Sequence, residues 1–176
     1  MRLFYVPTYL TRRSERGPAA LGNRKLGANH GPCILPRIKA AERGFQQKRW
    51  LFGEDQRLTE AGALNVSVIL GDGTGRLKLA TPELDGTTLE GVTRDSVLAL
   101  ARERLVAKEG WLVSERVITM PELAMLSPIC AIRWNGELVS CGLAPGQEAG
   151  KTAVLFQEWI EEIQCGELEH ESSNPV

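Results

Sequence analysis

The segment GNRKLGANHGPCI, residues 22–34, places Lys25 among glycines. The amine of a lysine is a nucleophile that can bond a carbonyl carbon, and glycine lets the backbone approach a ligand closely. Lysines that serve only solubility are usually found on polar helix faces. Lys25 is therefore a candidate catalytic side chain, although a lysine among glycines does not identify a site by itself.

The segment LEGVTRDS, residues 89–96, places Gly91 before an expected helix start. Unpaired amides at a helix N-terminus, the positive end of the helix dipole and the hydroxyl of Thr93 would together suit a phosphate group. Thr93 is also a suitable N-cap for the same helix. Taken alone, the segment favours ordinary capping over a phosphate site.

The segment LTEAGALN, residues 58–65, places Glu60 in a small and apolar run just ahead of an expected strand. Such a carboxylate lies either at the solvated end of a strand or in the interior, where it must be paired. As a bare pattern, the surface interpretation is the simpler one.

Two other patterns favour no chemistry. GDGTG, residues 71–75, lacks the trailing GK[ST] of a phosphate-binding P-loop and lies between two strand-like runs, which predicts a hairpin turn. The four cysteines are far apart and form no CxxC pair, and only His30 and His170 could join them around a metal. We therefore expect no metal site and reduced cysteines in an intracellular protein.

The composition is that of one ordinary globular domain. The chain has 176 residues, of which 43% are hydrophobic and 24% charged, and its net charge is -1. This balance does not favour nucleic acid or an anionic membrane surface as a partner, so a small-molecule substrate is expected. No run approaches the roughly 20 apolar residues of a membrane span. The start lacks a secretory signal, and its arginines and serine only faintly resemble a mitochondrial transit peptide.

The apolar patterns predict short strands mixed with few helices and no regular βαβ repeat, which favours an α+β domain. Helices are expected at residues 36–47, 93–105, 121–126 and 150–164, strands at 50–53 and 111–118, and hairpins from 64–70 with 76–81 and across 129–143. Asn135-Gly136 would turn the second hairpin. The C-terminal tail is expected to fray.

Five segments together resemble the branched-chain amino acid aminotransferases, class IV enzymes that use pyridoxal phosphate, and especially the fungal ones. They are KLGANHGPCI (25–34), WLFGEDQRLTEAGALN (50–65), TPELDGTTLEGVTRDS (81–96), SERVITMPEL (114–123) and EIQCG (162–166). The similarity runs over residues 22–170 in the family's order. It implies the large C-terminal domain of the D-amino-acid and branched-chain aminotransferase-like fold, in an incomplete form.

The resemblance also implies roles for the candidate residues. Lys25 matches the lysine that bonds the aldehyde of pyridoxal phosphate and moves the substrate's proton, and Glu60 matches the glutamate on the pyridine nitrogen. The phosphate would be held by Gly91, Val92 and Thr93, and the ring packed by Leu89. His30 stands where the family usually has a tyrosine, and Ala63 where it has a threonine.

Larger departures concern whole segments. The family's small N-terminal domain, with its phosphate-binding arginine, has no counterpart, and residues 1–21 form a divergent segment. An internal deletion is expected near 123–127, since PELAMLSPICAIRWNG joins what the family keeps apart. A frame error in the gene would account for SERGPAAL at 14–21. The cofactor-binding domain is thus expected at 22–170, and a tail at 171–176.

The resemblance implies amino transfer from leucine, isoleucine or valine to 2-oxoglutarate, in a homodimer of the cytoplasm or the mitochondrion. Two alternatives stay open. One is a catalytically impaired remnant that pairs with full-length homologues as a dimer partner. The other is a related aminotransferase of a secondary-metabolite pathway.

Overall fold

The computed structural model describes residues 3–4, 23–44, 47–71, 74–120, 122, 131–134, 137–140 and 151–165. The strands are β1 (Leu3–Phe4), β2 (Gln47–Phe52), β3 (Arg57–Ala61), β4 (Val68–Gly71), β5 (Leu77–Thr81), β6 (Leu112–Glu115), β7 (Ala131–Trp134) and β8 (Glu137–Ser140). The helices are α1 (Gly31–Glu42), α2 (Val92–Leu100), α3 (Ala107–Glu109) and α4 (Lys151–Gln164). A 3-10 turn (Gly27–His30) precedes α1, and a π-helical segment (Ala101–Val106) joins α2 to α3.

The first sheet has the order β1-β2-β3 and carries Glu60 on β3. Strand β1 runs parallel to β2, and β3 runs antiparallel to it, with Trp50 opposite Glu60. The sequence pattern predicted a strand only at 50–53 and placed Glu60 ahead of the next one. That placement is wrong, because the turn after β2 brings the chain back as a strand whose last four residues are buried.

The second sheet has the order β4-β5-β6. Strands β4 and β5 form the expected antiparallel hairpin, with Val68 opposite Ala80. Strand β6 then pairs parallel to β5, so the helical segment between them is a crossover. Helices α2 and α4 bury their apolar faces with this sheet, in a cluster that comprises Leu79, Leu98, Leu100, Ala101, Leu105, Trp111, Phe156 and Ile163. Each large side chain buried in this way stabilises the fold by about 1.5–3 kcal/mol.

Helix α1 begins five residues earlier than the sequence pattern predicted. The prediction took Pro36 as a residue of the first turn, but the structure has Pro32 in that position and Pro36 inside the helix. The helix also ends at Glu42, five residues before the end of the predicted range, and Gly44 follows it with a φ of +77°. A left-handed glycine just after a helix is a common stop signal.

Helix α2 begins at Val92, and its N-cap is Gly91 in an extended conformation. The prediction that Thr93 is the N-cap is therefore wrong, since Thr93 is the second residue of the helix. The helical path continues through the π-helical segment and ends at Gly110, whose φ is +69°. The predicted helix at 93–105 is thus longer than expected at both ends.

Strands β7 and β8 pair antiparallel, as expected for the second hairpin, with Trp134 opposite Glu137. The turn at 135–136, most of the expected helix at 121–126, the deletion near 123–127, most of residues 1–21 and the tail lie outside the described residues. In the described part of the chain, no helix is long and apolar enough to cross a membrane. The combination of helices with two mixed sheets and an antiparallel hairpin confirms the α+β class.

Candidate active site

A cavity of about 670 Å³ lies where the loop before α1, strand β3 and the start of α2 meet. All the site residues predicted from the sequence line it: Lys25, His30, Glu60, Leu89, Gly91, Val92 and Thr93. They come from segments more than twenty residues apart in the chain. The fold therefore brings an amine, a carboxylate and a helix N-terminus to one hollow.

Lys25 lies in a loop in which two hydrogen bonds converge on the carbonyl of the preceding residue, Arg24. The amide group of Asn29 donates from Nδ2 to the carbonyl of Arg24 at 2.9 Å, and the N–H of Leu26 donates to the same carbonyl at 2.9 Å. The side chain of Lys25 is exposed. A Cβ added at Gly27 or Gly31 would meet no described atom within 4 Å. Gly27 begins the 3-10 turn and Gly31 begins α1.

Glu60 is buried in β3, with 5% of its surface exposed. Its Oε1 accepts a hydrogen bond from the N–H of Leu89 at 3.0 Å. The structure thus selects the buried and paired interpretation of this carboxylate and excludes the surface one. The hydrogen bond also joins β3 to the loop that leads into α2.

The start of α2 lines the cavity with residues 91–94. Among the described residues, no side chain caps this helix, and the N–H of Asp95 donates to the carbonyl of Gly91 at 3.1 Å. Val92 is 81% exposed and Thr93 is also exposed, so neither side chain covers the first turn of the helix. Amides at an uncapped N-terminus, together with the helix dipole, favour an anion.

Asn65 is a site residue that the sequence analysis did not single out. Its Nδ2 donates to the carbonyl of Leu89 at 2.7 Å, and its Oδ1 lies 1.9 Å from the position that a Cβ would take on Gly91. Asn65 stands at the end of the LTEAGALN segment, but nothing in that pattern indicates a partner so far along the chain. Position 91 thus needs glycine because the side chain of Asn65 lies too close for a Cβ. Its φ is negative, so backbone conformation does not require glycine there.

Arg94 is a second residue that sequence reasoning missed, and it anchors α2 from within the protein. It is 4% exposed, and its Nη2 donates to the carbonyl of Pro82 at 3.0 Å and to Oε2 of Glu115 at 2.7 Å. Arg102 donates to the other oxygen of Glu115 at 2.7 Å. The hydrogen bonds from Arg94 and then Arg102 hold the pKa of Glu115 below its ordinary value.

Two further features lie at the cavity wall. His30 and Ala63 both line the cavity and are exposed. Arg24 and Glu90 form an ion pair at 3.7 Å between the Lys25 loop and the loop before α2. Both side chains are about half exposed, so this pair contributes at most about 1 kcal/mol.

The described residues contain no cluster of three or more histidine, cysteine or acidic side chains that could hold a metal, and Cys130, Cys141 and His170 lie outside them.

Comparisons with known proteins agree with the resemblance in the sequence. The profile of the family described as "Amino-transferase class IV" matches residues 2–130. The cytosolic branched-chain-amino-acid aminotransferase of Saccharomyces cerevisiae is 44% identical over 172 residues, covering 87% of this chain and 46% of that protein. The mitochondrial enzyme of the same yeast is 43% identical, with 87% and 44% covered.

Solved structures of the same class share the fold. The branched-chain amino acid aminotransferase from Thermobaculum terrenum in its PLP-form matches with a TM-score of 0.68 and 25% identity, over 92% of this chain and 50% of that one. The Escherichia coli enzyme matches with a TM-score of 0.69 and 21% identity, over 97% and 54%. This chain spans about half the length of the curated relatives it matches. The resemblance seen in the sequence is thus confirmed, and the chain belongs to the class IV aminotransferases.

Proposed function

We propose that this chain is the cofactor-binding part of a branched-chain amino acid aminotransferase, which binds pyridoxal phosphate and moves an amino group from leucine, isoleucine or valine to 2-oxoglutarate. The observation that carries the proposal is the convergence of Lys25, Glu60 and the start of α2 on one cavity. The names of the yeast relatives support the choice of substrates.

The polar groups of the cavity fit the polar groups of pyridoxal phosphate. The amine of Lys25 suits the aldehyde, the buried carboxylate of Glu60 suits the pyridine nitrogen, and the uncapped start of α2 suits the phosphate. A volume of about 670 Å³ also lies within the usual range for small-molecule sites. When bound, the cofactor supplies a carbonyl that takes up the amino group and a ring that accepts electrons from the substrate.

Each side chain then has one task. Lys25 would hold the aldehyde carbon covalently, and its Nζ would take and return the proton at the substrate's α-carbon. Glu60 would keep the pyridine nitrogen protonated, because a buried carboxylate favours a positive charge beside it. The amides at residues 91–93 would donate to phosphate oxygens, while Leu89 would pack against the ring.

A second function, cofactor binding without amino transfer, is favoured by one observation. Lys25 and His30 are both exposed in the described chain. Proton transfer at a substrate carbon benefits from exclusion of water, and the exposed amine lacks that protection. In this case the chain would bind pyridoxal phosphate and act as a partner of a complete aminotransferase.

The test is a single-turnover assay of the purified chain with pyridoxal phosphate, leucine and 2-oxoglutarate. Amino transfer from leucine but not from aspartate, lost in Lys25→Ala and kept in Lys39→Ala, would support the leading proposal. Lys39 is a suitable control because it is exposed on α1 and does not line the cavity. Binding of the cofactor without transfer would support the second function, and no binding would refute both.

Assembly and compartment belong to the same proposal. We expect a homodimer and small-molecule substrates, with the chain in the cytoplasm or the mitochondrion, since the yeast relatives carry those two designations. Sedimentation of the purified chain would test the first point. A single species with the mass of one 19.3 kDa chain would contradict it.

A further inference from the structure

We infer that Asn65 is a positioning residue that fixes the start of α2 relative to Glu60, and so sets where the phosphate of the cofactor is held. The inference rests on the proposed function, because it names a residue that acts through the proposed phosphate site. Asn65 itself has no assigned role in that proposal.

The first observation is that both backbone groups of Leu89 are held by side chains from the region of β3. The N–H of Leu89 donates to Glu60 at 3.0 Å, and its carbonyl accepts from Asn65 at 2.7 Å. These two groups belong to the two peptide units that flank the Cα of Leu89, so the backbone is held on both sides of this residue. The loop before α2 is therefore tied to the strand that carries the buried carboxylate.

The second observation concerns Gly91. The Oδ1 of Asn65 occupies the space that a Cβ of residue 91 would need, at 1.9 Å. Asn65 has no easy way to yield, because a shift of its side chain would break the hydrogen bond to Leu89. Asn65 and Gly91 thus act as one unit, in which the amide of one packs on the bare backbone of the other.

These contacts predict a specific loss when Asn65 is changed. Glu60, the proposed partner of the pyridine nitrogen, would stay in place. The amides at residues 91–93, the proposed partners of the phosphate, would lose their fixed position. The affinity for pyridoxal phosphate should then fall about tenfold, as expected for one lost hydrogen bond of about 1.4 kcal/mol. The affinity for pyridoxal, which has no phosphate, should change less than about twofold.

The experiment measures dissociation constants of both ligands for the wild type, Asn65→Ala, Gly91→Ala and the double variant. Gly91→Ala should weaken pyridoxal phosphate binding in the wild type but add little in Asn65→Ala, because the clash is then absent. Gln157→Ala is the matched control, since it removes an exposed side-chain amide that is bonded to Glu161 at 2.8 Å and does not line the cavity. Equal losses for both ligands, or multiplied losses in the double variant, would overturn the inference.

Hydrogen exchange of the cofactor-free protein provides a readout that does not depend on binding. Within residues 89–95, Asn65→Ala should speed exchange about tenfold at the hydrogen-bonded amides of Leu89 and Asp95 and leave the amides of α4 unchanged. If the wild type takes up no pyridoxal phosphate, the proposed function fails, yet faster exchange at 89–95 would still support the positioning role. Unchanged exchange there would refute it.

Discussion

Replacement of Arg94 by alanine should destabilise the protein strongly, because the guanidinium connects three parts of the fold. Its side chain is 2% exposed and donates from α2 to Pro82 and to Glu115 on β6. Removing one partner of a buried ion pair costs about 3–5 kcal/mol. Glu115 is 34% exposed and keeps Arg102, so solvent and the second arginine offset part of that cost. We expect the free energy of unfolding to fall by about 3 kcal/mol.

Urea unfolding followed by tryptophan fluorescence measures this loss, and Arg102→Ala is the matched control. Arg102 contacts the same carboxylate, but its side chain is 54% exposed, so its removal should cost less than about 1 kcal/mol. Arg94→Lys should fall between the two, since the ammonium group of a shorter, non-planar side chain does not take the position of Nη2, which reaches both acceptors. Equal losses for Arg94→Ala and Arg102→Ala would refute the idea that Arg94 anchors α2.

Three other changes follow from the same contacts. Gly110→Ala should cost about 1–2 kcal/mol in urea unfolding from backbone strain alone, because φ is +69° and no described atom lies within 4 Å of the added Cβ; no loss would contradict this. Leu105→Ala should cost about 2–5 kcal/mol, against less than about 0.5 kcal/mol for the exposed Val106→Ala, and similar losses would exclude a tight core there. The lowered pKa of Glu115 stabilises the fold above the ordinary glutamate pKa of about 4.3, and this contribution is lost as the pH falls through the lowered value. Glu115→Gln should therefore lose less stability on acidification than the wild type, and an unchanged pH profile would count against the ion pair.

Local patterns in the sequence predicted the elements whose signals are local. The hairpin of β4 and β5 followed from two apolar runs around a glycine-rich turn, and α4 followed from its apolar stripe. Strand β3 was missed because its sequence, RLTEA, carries charged residues that usually indicate a surface. Its burial on both faces depends on neighbours that no local pattern contains. Helix α1 was misplaced because Pro36, tolerated inside the helix, was read as a first-turn residue.

The candidate site shows the same division. Lys25, Glu60 and the start of α2 were predicted from the sequence, as candidate residues from their local patterns and with their roles from the resemblance, and the structure places them on one cavity. Asn65 and Arg94 were missed because their partners lie 24 and 21 residues further along the chain. Contacts of this kind arise only when strands and helices pack. The residue types of Asn65 and Arg94 alone do not indicate these contacts.

In the proposed function, the amine of Lys25 faces a site for pyridoxal phosphate. The most direct test of this placement is to incubate the purified chain with one equivalent of pyridoxal phosphate, reduce with borohydride and locate the adduct by peptide mass spectrometry. We expect modification at Lys25 above all other lysines. In Lys25→Ala this adduct should be lost, while the modification of the other lysines should stay unchanged. Equal modification of Lys25 and the exposed Lys39, or no adduct at Lys25, would contradict it.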